Sequence, residues 1–530
     1  MINQPARDGM GTDLTDPEFA QALLREPDAA GRHALLSQAL LGFLIRSGTL
    51  DEHSDAQTPA VLESLIAVEL NVVVEARLGV EPGLWTLRHP VCARELADKI
   101  LELLDGAAPT ESSGTVLVPD TEGRFEPFAL TDLQQAYLLG RGDFFPLGNV
   151  PAAFYAEIDA VSLDVERLEA AWNAVVERHD MLRAVFTDDG RQRILATTPA
   201  YLFARHDLGS CEPQERDDRL AGIREAVAGR VRAPEQWPLF EIATTRLEGD
   251  RTRIHVAMDL MIADAPGIRQ LLGEWLAIDA GREPGPVPGV SFRDYVGALE
   301  RVEESVGFVA AREYWLGRLG ELPGAPEVPL RVSPESVGAA RFSSRSVELS
   351  PERWGRLRRR ALAGGLTPSM VLCWAYAAVL RGWSASEAFT LNVTVNDRLP
   401  VHPDIDRVIG EYTSQVLVAV DLDAKASVGA QIADLQDQFW RDFEHRAFNG
   451  VRVLRELARR EGGTRTTMPY VFDAVLGQDL TEAELPEWFQ GIPYVAATAP
   501  QVALECQVFE LGGVLRVNWA VVEELFPAGL

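Results

Sequence analysis

Two carboxylates, Asp259 and Asp264 in MDLMIADA (258–265), stand where an alternating stretch gives way to a helical repeat. In RIHVAMD (253–259) Ile254, Val256 and Met258 fall on one strand face, and after Pro266 the residues Leu271, Leu272, Trp275 and Leu276 recur at helical spacing. At such a junction a carboxylate can act as a catalytic group, or it can cap the helix and hold a salt bridge. A second candidate is Ser64 in LESLIAVEL, which opens a helix whose Leu65, Val68 and Val72 form an apolar stripe. Its hydroxyl lies beside free backbone N–H groups, where it can cap the helix or stand as an exposed reactive side chain. His179, in ERHDMLR, fits a hydrogen-bonded core histidine better than a general base.

Several folded units must position these groups, because 530 residues exceed what one hydrophobic core supports. A net charge of −29 argues against a phosphate-backbone partner, since nucleic-acid binders concentrate Lys and Arg. No stretch approaches the roughly twenty apolar residues that span a bilayer, and MINQPARDG reads as neither signal nor transit peptide, so a cytoplasmic location without a membrane partner is expected. Cys92, Cys211, Cys373 and Cys506 show no metal-ligand or disulfide spacing and are expected as free, buried thiols.

Along the chain, a tail over 1–29 precedes a helical domain over 30–106, read from HALLSQALLGFLIRSG, SLIAVELNVVVEARLG and ARELADKILELLDG. AAPTESSGTVLVPDTEGRFEP breaks all periodicity and marks a linker over 107–124. Strands and helices then mix to the end, with a softer break at GREPGPVPG (281–289) that divides the remainder into lobes over 125–285 and 286–530.

The Ser64 segment resembles an acyl carrier protein, whose attachment motif reads Gly-x-Asp-Ser-Leu; here Glu63 replaces the Asp and the Gly is missing. GVEPGLWTLRHPVCARELA (79–97) is similar to the third and fourth helices of carriers from polyketide assembly lines. This resemblance implies a small all-α four-helix bundle with phosphopantetheine covalently attached to Ser64, installed by a phosphopantetheinyl transferase and charged by an upstream acyl-loading module. The competing expectation is a degenerate bundle that only docks or spaces.

From Phe128 onward the chain resembles the heterocyclization domain of nonribosomal peptide synthetases, in the condensation-domain superfamily. The motifs occur in order: FALTDLQQAYLLGR (128–141), RHDMLRAVFTDDGRQ (178–192), LPGAPEVPLRVSP (322–334) and LTPSMVLCWAYAAVLRGW (366–383), then NDRLPVHPD (396–404), IGEYTSQV (409–416), MPYVFDAVLG (468–477) and APQVALECQ (499–507), with Trp519 beyond. Asp259 and Asp264 match the family's Asp-x-x-x-x-Asp, where peptide-forming condensation domains carry His-His-x-x-x-Asp-Gly; Leu260 falls at their catalytic histidine. The implied fold is α/β, a chloramphenicol-acetyltransferase-like pair of lobes forming a V-shaped pseudo-dimer around a central tunnel.

The resemblance also implies a reaction. An acyl thioester on an upstream carrier is attacked by the amine of Cys, Ser or Thr on a downstream carrier, and the resulting amide closes to a thiazoline or oxazoline with loss of water. Asp264 is expected to pair with Arg398, Tyr137 and Thr413 to position groups or line the wall, and Asp259 to orient the amine or order its loop. The family assigns cyclization and dehydration to a Thr and an Asp, which are here Asp473 and Glu505, with Ala474 for the following Ser. If the two carboxyls face each other, repulsion leaves one protonated and one ionised, a division of labour suited to dehydration. If the changes misplace the base instead, the domain stops at the amide. Two further readings stay open: a non-catalytic docking or gatekeeping scaffold, and an acyltransferase acting on a soluble amine. Phosphopantetheine is the only cofactor implied, and no metal site is expected. Neither an adenylation signature nor a second carrier precedes the end at LFPAGL, so amino-acid activation is expected from elsewhere. The donor acyl group and the choice among Cys, Ser and Thr are left open.

Overall fold

The computed structural model describes residues 13–14, 19–47, 49–80, 82–83, 87, 90–106, 117, 119–142, 145–338, 340–399, 401–461, 467–477 and 485–528. The chain forms two compact units, one of residues 1–115, 350–375 and 423–444, the other of 116–349, 376–422 and 445–530. The first unit is helical, and the three helical runs expected between residues 30 and 106 lie at Ala29–Arg46, Ser64–Leu78 and Ala93–Gly106. Leu36, Leu40, Phe43, Ile66, Leu70, Leu96 and Ile100 form their buried stripes. Joining them are Pro351–Ala363, the first half of Pro368–Trp383, and Val428–Glu444. Gln436 ties these later helices: it accepts from the Thr367 N–H at 2.8 Å and donates to the Gly365 carbonyl at 3.1 Å. Segments expected within a continuous second lobe thus group with the N-terminal helices. Most of the linker expected over 107–124 lies outside the described residues; Leu117, within it, is buried and donates its N–H to the Val401 carbonyl.

The second unit carries fourteen strands among the described residues: β1 (Phe128–Ala129), β2 (Ala153–Val161), β3 (Ala184–Phe186), β4 (Arg191–Ile194), β5 (Ala204–Asp207), β6 (Phe240–Arg246), β7 (Arg251–Asp259), β8 (Phe342–Leu349), β9 (Ala388–Asn396), β10 (Thr413–Asp421), β11 (Tyr470–Val475), β12 (Phe489–Thr498), β13 (Leu504–Leu511) and β14 (Val514–Val522). Besides a small β1-β4-β3 sheet, they form a five-stranded sheet in the order β12-β2-β7-β6-β5 and a six-stranded sheet in the order β10-β9-β11-β13-β14-β8. The two halves are interleaved: β12 comes from far beyond residue 286, yet it pairs antiparallel with β2 and covers that strand's open edge.

Side chains alternate across a strand, so register decides the two faces of the six-stranded sheet. Asn392 aligns with Val471, Val471 with Glu505, Asp473 with Gln507, and Gln507 with Asn518. These residues share one face, and Val393, Phe472, Cys506 and Trp519 share the other. The apolar face packs on Tyr376, whose ring lies 6.4 Å from Phe472 and 5.6 Å from Trp519 and whose hydroxyl donates to the Leu504 carbonyl. The other face is left for polar groups.

The five-stranded sheet packs its apolar face on the helices Val165–Arg178 and Ala265–Asp279. Trp172 is fully buried at the centre, edge-on to Phe240 at 5.2 Å and to Trp275 at 5.1 Å. Its indole N–H has no hydrogen-bond partner. Trp172→Ala is therefore expected to lower unfolding free energy by about 3–5 kcal/mol, and Trp172→Phe by much less, because the latter keeps an aromatic ring and removes an unsatisfied donor. Urea unfolding followed by circular dichroism checks the ordering.

Candidate active site

The motif FALTDLQQAYLLGR folds as a short strand and the helix Asp132–Gly140, and each polar residue in it has a positional task. Thr131 and Gln134 form a reciprocal capping box, with Thr131 Oγ1 accepting from the Gln134 N–H and Gln134 Oε1 from the Thr131 N–H. Gln134 also donates to the Met261 carbonyl at 2.7 Å, so the helix start is tied to the Asp259–Asp264 turn. Asp132 receives Arg452 and Arg455 at 2.6 Å each. Beyond the other end, Arg141 pairs with Asp259. Tyr137 is held between these anchors. Burial raises its phenol well above the ordinary range, with Glu411, Glu505, Asp473 and Asp259 adding to the effect. The phenol thus stays neutral within electrostatic reach of four acids.

Both aspartates of the turn are fully committed. Asp259, 1% exposed, gives one oxygen to Arg141 and accepts the Met261 N–H on the other at 3.0 Å. Each oxygen thus has a partner, and the turn is tied to Arg141. Asp264 caps Ala265–Asp279 through the Gly267 N–H at 2.8 Å, accepts from Asn396 at 3.0 Å and lies 3.5 Å from the Arg398 guanidinium. Arg398 reaches the Asp406 carbonyl at 2.8 Å and lies 4.0 Å above the Tyr412 ring. The expected Asp264–Arg398 pair is present, and it joins the turn to the 396–412 segment. His179 is buried and bonded to Glu274 at 2.8 Å, the core histidine anticipated from its motif.

The remaining acids singled out in the sequence lie on the polar face of the six-stranded sheet. Because Val471 aligns with Glu505 and Asp473 with Gln507, Asp473 and Glu505 are diagonal neighbours on that face. Glu505 is buried, while Asp473 keeps part of its surface open. Desolvation raises both carboxyls above the ordinary range, and the Asp473 charge pushes Glu505 further. Glu411, 1% exposed, is pushed up to about 8 by burial first and then by the Asp264 charge, although Thr413 donates its N–H to Oε1 at 2.7 Å. Thr413 therefore acts on Glu411. Such a cluster can hold a proton on one carboxyl and a charge on its neighbour at neutral pH.

Residues that motif matching overlooked also lie on this face. Gln507 and Asn518 are buried and hydrogen-bonded towards Glu505, and Asn392 is 5% exposed with Oδ1 unpartnered. Period-two reading of LNVTVN, LECQVF and RVNWA would have put these amides on one face with Glu505, but not in contact with it. Arg141 was visible only as a motif letter.

Ser64 is the first residue of its helix, as expected. The residues before it are enclosed: Val61 is 4% and Leu62 1% exposed, and Glu63 accepts the Ser369 N–H at 3.1 Å together with the Ser369 hydroxyl. Glu63 thus satisfies the N-terminus of Pro368–Trp383. Cys92, Cys373 and Cys506 are buried free thiols, and Cys211 is half-buried.

Comparison with known proteins identifies the family. The profile of the condensation domain matches residues 149–526. The chain belongs to that family, a component of nonribosomal peptide synthetases, and its relatives place it in the heterocyclization branch. Phenyloxazoline synthase MbtB of Mycobacterium tuberculosis is 38% identical over 433 residues, covering 80% of this chain and 30% of its own. Pyochelin synthetase PchF of Pseudomonas aeruginosa is 37% identical over 410 residues, 76% of this chain and 22% of its own. The chain thus spans less than a third of these relatives' length. The crystallised EpoB cyclization-docking bidomain from Sorangium cellulosum superposes with a TM-score of 0.73 at 30% identity, covering 93% of this chain and 95% of that one. A match of that extent reaches well into the helices before residue 107.

Two outcomes follow. Arg398→Met leaves Asp264 buried and uncompensated and is expected to cost about 3–5 kcal/mol, whereas adding Asp264→Asn recovers much of the loss; a double-mutant cycle by urea unfolding measures this. Glu411 binds its proton more tightly folded than unfolded, so its contribution to stability is complete below the unfolded value near 4.5 and is lost as pH rises through about 8. Glu411→Gln is expected to flatten the decline in melting temperature across that window.

Proposed function

We propose that this chain joins a carrier-bound acyl donor to a carrier-bound Cys, Ser or Thr and then closes the amide to a thiazoline or oxazoline. The observation that carries this reading is the placement of Asp473 and Glu505 as diagonal neighbours on the polar sheet face, both with raised carboxyl ionisations. Synthetases of this class hold their intermediates as thioesters on phosphopantetheine arms of carrier domains, and the partners proposed here are such carriers. After the side-chain thiol or hydroxyl adds to the amide carbonyl, the tetrahedral carbon bears a hydroxyl and the ring nitrogen a proton. Glu505, the more strongly raised of the pair, is the acid that protonates the leaving hydroxyl. Asp473 is the base that takes the nitrogen proton as the carbon–nitrogen double bond forms and water departs. Proton return from Asp473 to Glu505 resets the pair. Tyr137 remains neutral within the same electrostatic environment; Asp259, Asp264 and Arg398 hold the segments around it.

For residues 30–106 the geometry favours the docking reading over a loaded carrier, because Glu63 is spent on the helix at Ser369. The two-lobed acetyltransferase-like arrangement with carriers at opposite mouths of a tunnel is part of the same proposal. Incubation with a phosphopantetheinyl transferase is expected to leave the mass at Ser64 unchanged; quantitative loading would restore the carrier reading.

The test of the main reaction is the intact mass of an acceptor carrier charged with Cys, and separately with Ser or Thr, after incubation with this protein and an acylated donor carrier. Added acyl mass less one water is expected. Asp473→Asn and Glu505→Gln are each expected to keep acyl transfer but slow water loss by about 100-fold or more. Water loss should follow a bell-shaped pH profile, falling in acid as the base is protonated and in alkali as the acid ionises. Undiminished water loss in either variant would overturn the assignment; acyl mass with no water lost from the native protein would reduce the function to amide formation.

A further inference from the structure

Glu505 stands at the end of a run of hydrogen bonds that crosses three strands and plays no part in the scheme above. Ser344 and Ser346 on β8 both donate to Asn518 Oδ1 on β14, the latter at 2.9 Å. Asn518 Nδ2 donates to Gln507 Oε1 on β13 at 2.8 Å. Gln507 Nε2 donates to Glu505 Oε2 at 2.8 Å and to the Ala497 carbonyl on β12 at 3.3 Å. Gln507, Asn518 and Glu505 are 6%, 1% and 8% exposed, so water does not compete for these bonds.

The polarity of the run is dictated by chemistry. A backbone carbonyl can only accept, so the Gln507 group shared between Ala497 and Glu505 must be the amide nitrogen. Its oxygen must then face Asn518 and accept from Nδ2, which leaves Asn518 Oδ1 to accept from the two serine hydroxyls. No member can turn over without placing two donors or two acceptors against each other in a buried site, at a cost far above thermal energy.

We propose that Gln507 is a positioning residue for the ring-closing dehydration, with Asn518 fixing its polarity: together they hold Oε2 of Glu505 as a permanent acceptor and leave Oε1 as the atom that passes the proton. The proposal rests on the Asp473/Glu505 reading above. A glutamate has one more rotatable bond than the aspartate of the family motif, and pinning one oxygen removes that freedom. In the step, the proton on Oε1 moves to the leaving hydroxyl as the carbon–oxygen bond breaks, and the ring-nitrogen proton moves to Asp473 as the carbon–nitrogen double bond forms. The ionisable groups facing Glu505 are Asp473 from β11 and Tyr137 from the helix Asp132–Gly140, with the Cys506 thiol within electrostatic reach on its own strand.

The test uses the full chain with acylated donor carrier and Cys-charged acceptor carrier, scoring amide formation and water loss separately across pH. Gln507→Leu is expected to keep amide formation within about twofold, to slow water loss by about tenfold, and to move the basic limb of its pH profile upward, since the lost N–H favoured the ionised form of Glu505. The double variant Ser344→Ala/Ser346→Ala, at the sheet edge and remote from the pair, is expected to give a smaller change of the same sign. Asp473→Asn and Glu505→Gln run alongside: water loss persisting in them overturns the parent reading and the relay with it. If those two abolish water loss while Gln507→Leu and the serine variant keep the native rate and profile, the relay alone is overturned. Equal loss of both reactions in Gln507→Leu, with the serine variant unchanged, would make Gln507 structural and also overturn it.

Discussion

Acidic side chains buried on a sheet face are the constraint around which the second unit is organised. A carboxylate taken out of water is strongly disfavoured unless it is protonated or met by donors. Glu505 and Asp473 share that face, and both answers are visible there: their ionisations are raised, and Gln507 supplies a donor to Glu505. The opposite face bears no such demand, and Tyr376, Phe472 and Trp519 pack it as ordinary core. One sheet thus provides stability on one side and titratable chemistry on the other.

Three aspartates would look equivalent to a reader of charge alone, and their surroundings separate them. Asp259 and Asp264 have arginine partners and backbone donors that fill their oxygens, so they hold the turn to the helix Asp132–Gly140 and to the 396–412 segment. Asp473 has no arginine among the groups that shift its ionisation. In the proposed scheme it is the available base because nothing has neutralised it. Glu411 is a further acid in the same nest, held by Thr413 and influenced by Asp264 and Asp473, so the proton inventory of the site exceeds one pair.

In the first unit the acid that precedes Ser64 is bonded to the start of a later helix. Ser64 opens a helix as a carrier serine does, yet the acid beside it is engaged by Ser369.

By itself the sequence determined many of the elements and singled out most of the residues that the proposal uses. Period-two and period-3.6 patterns placed β7, the helix after Pro266 and the N-terminal helices, and ordered motifs singled out Asp264, Arg398, Tyr137, Asp473 and Glu505. These are local signals, carried by neighbours in the chain. Tertiary structure alone decided which partner each group received: Arg141 for Asp259, separated by more than a hundred residues, Ser369 for Glu63, separated by more than three hundred, and β12 for the open edge of β2. It alone set the register that puts Gln507 opposite Asp473 and links Asn518 to Glu505. Strand alternation tells which side chains share a face, but the alignment between distant strands depends on burial summed over the whole sheet, and no local pattern encodes that sum.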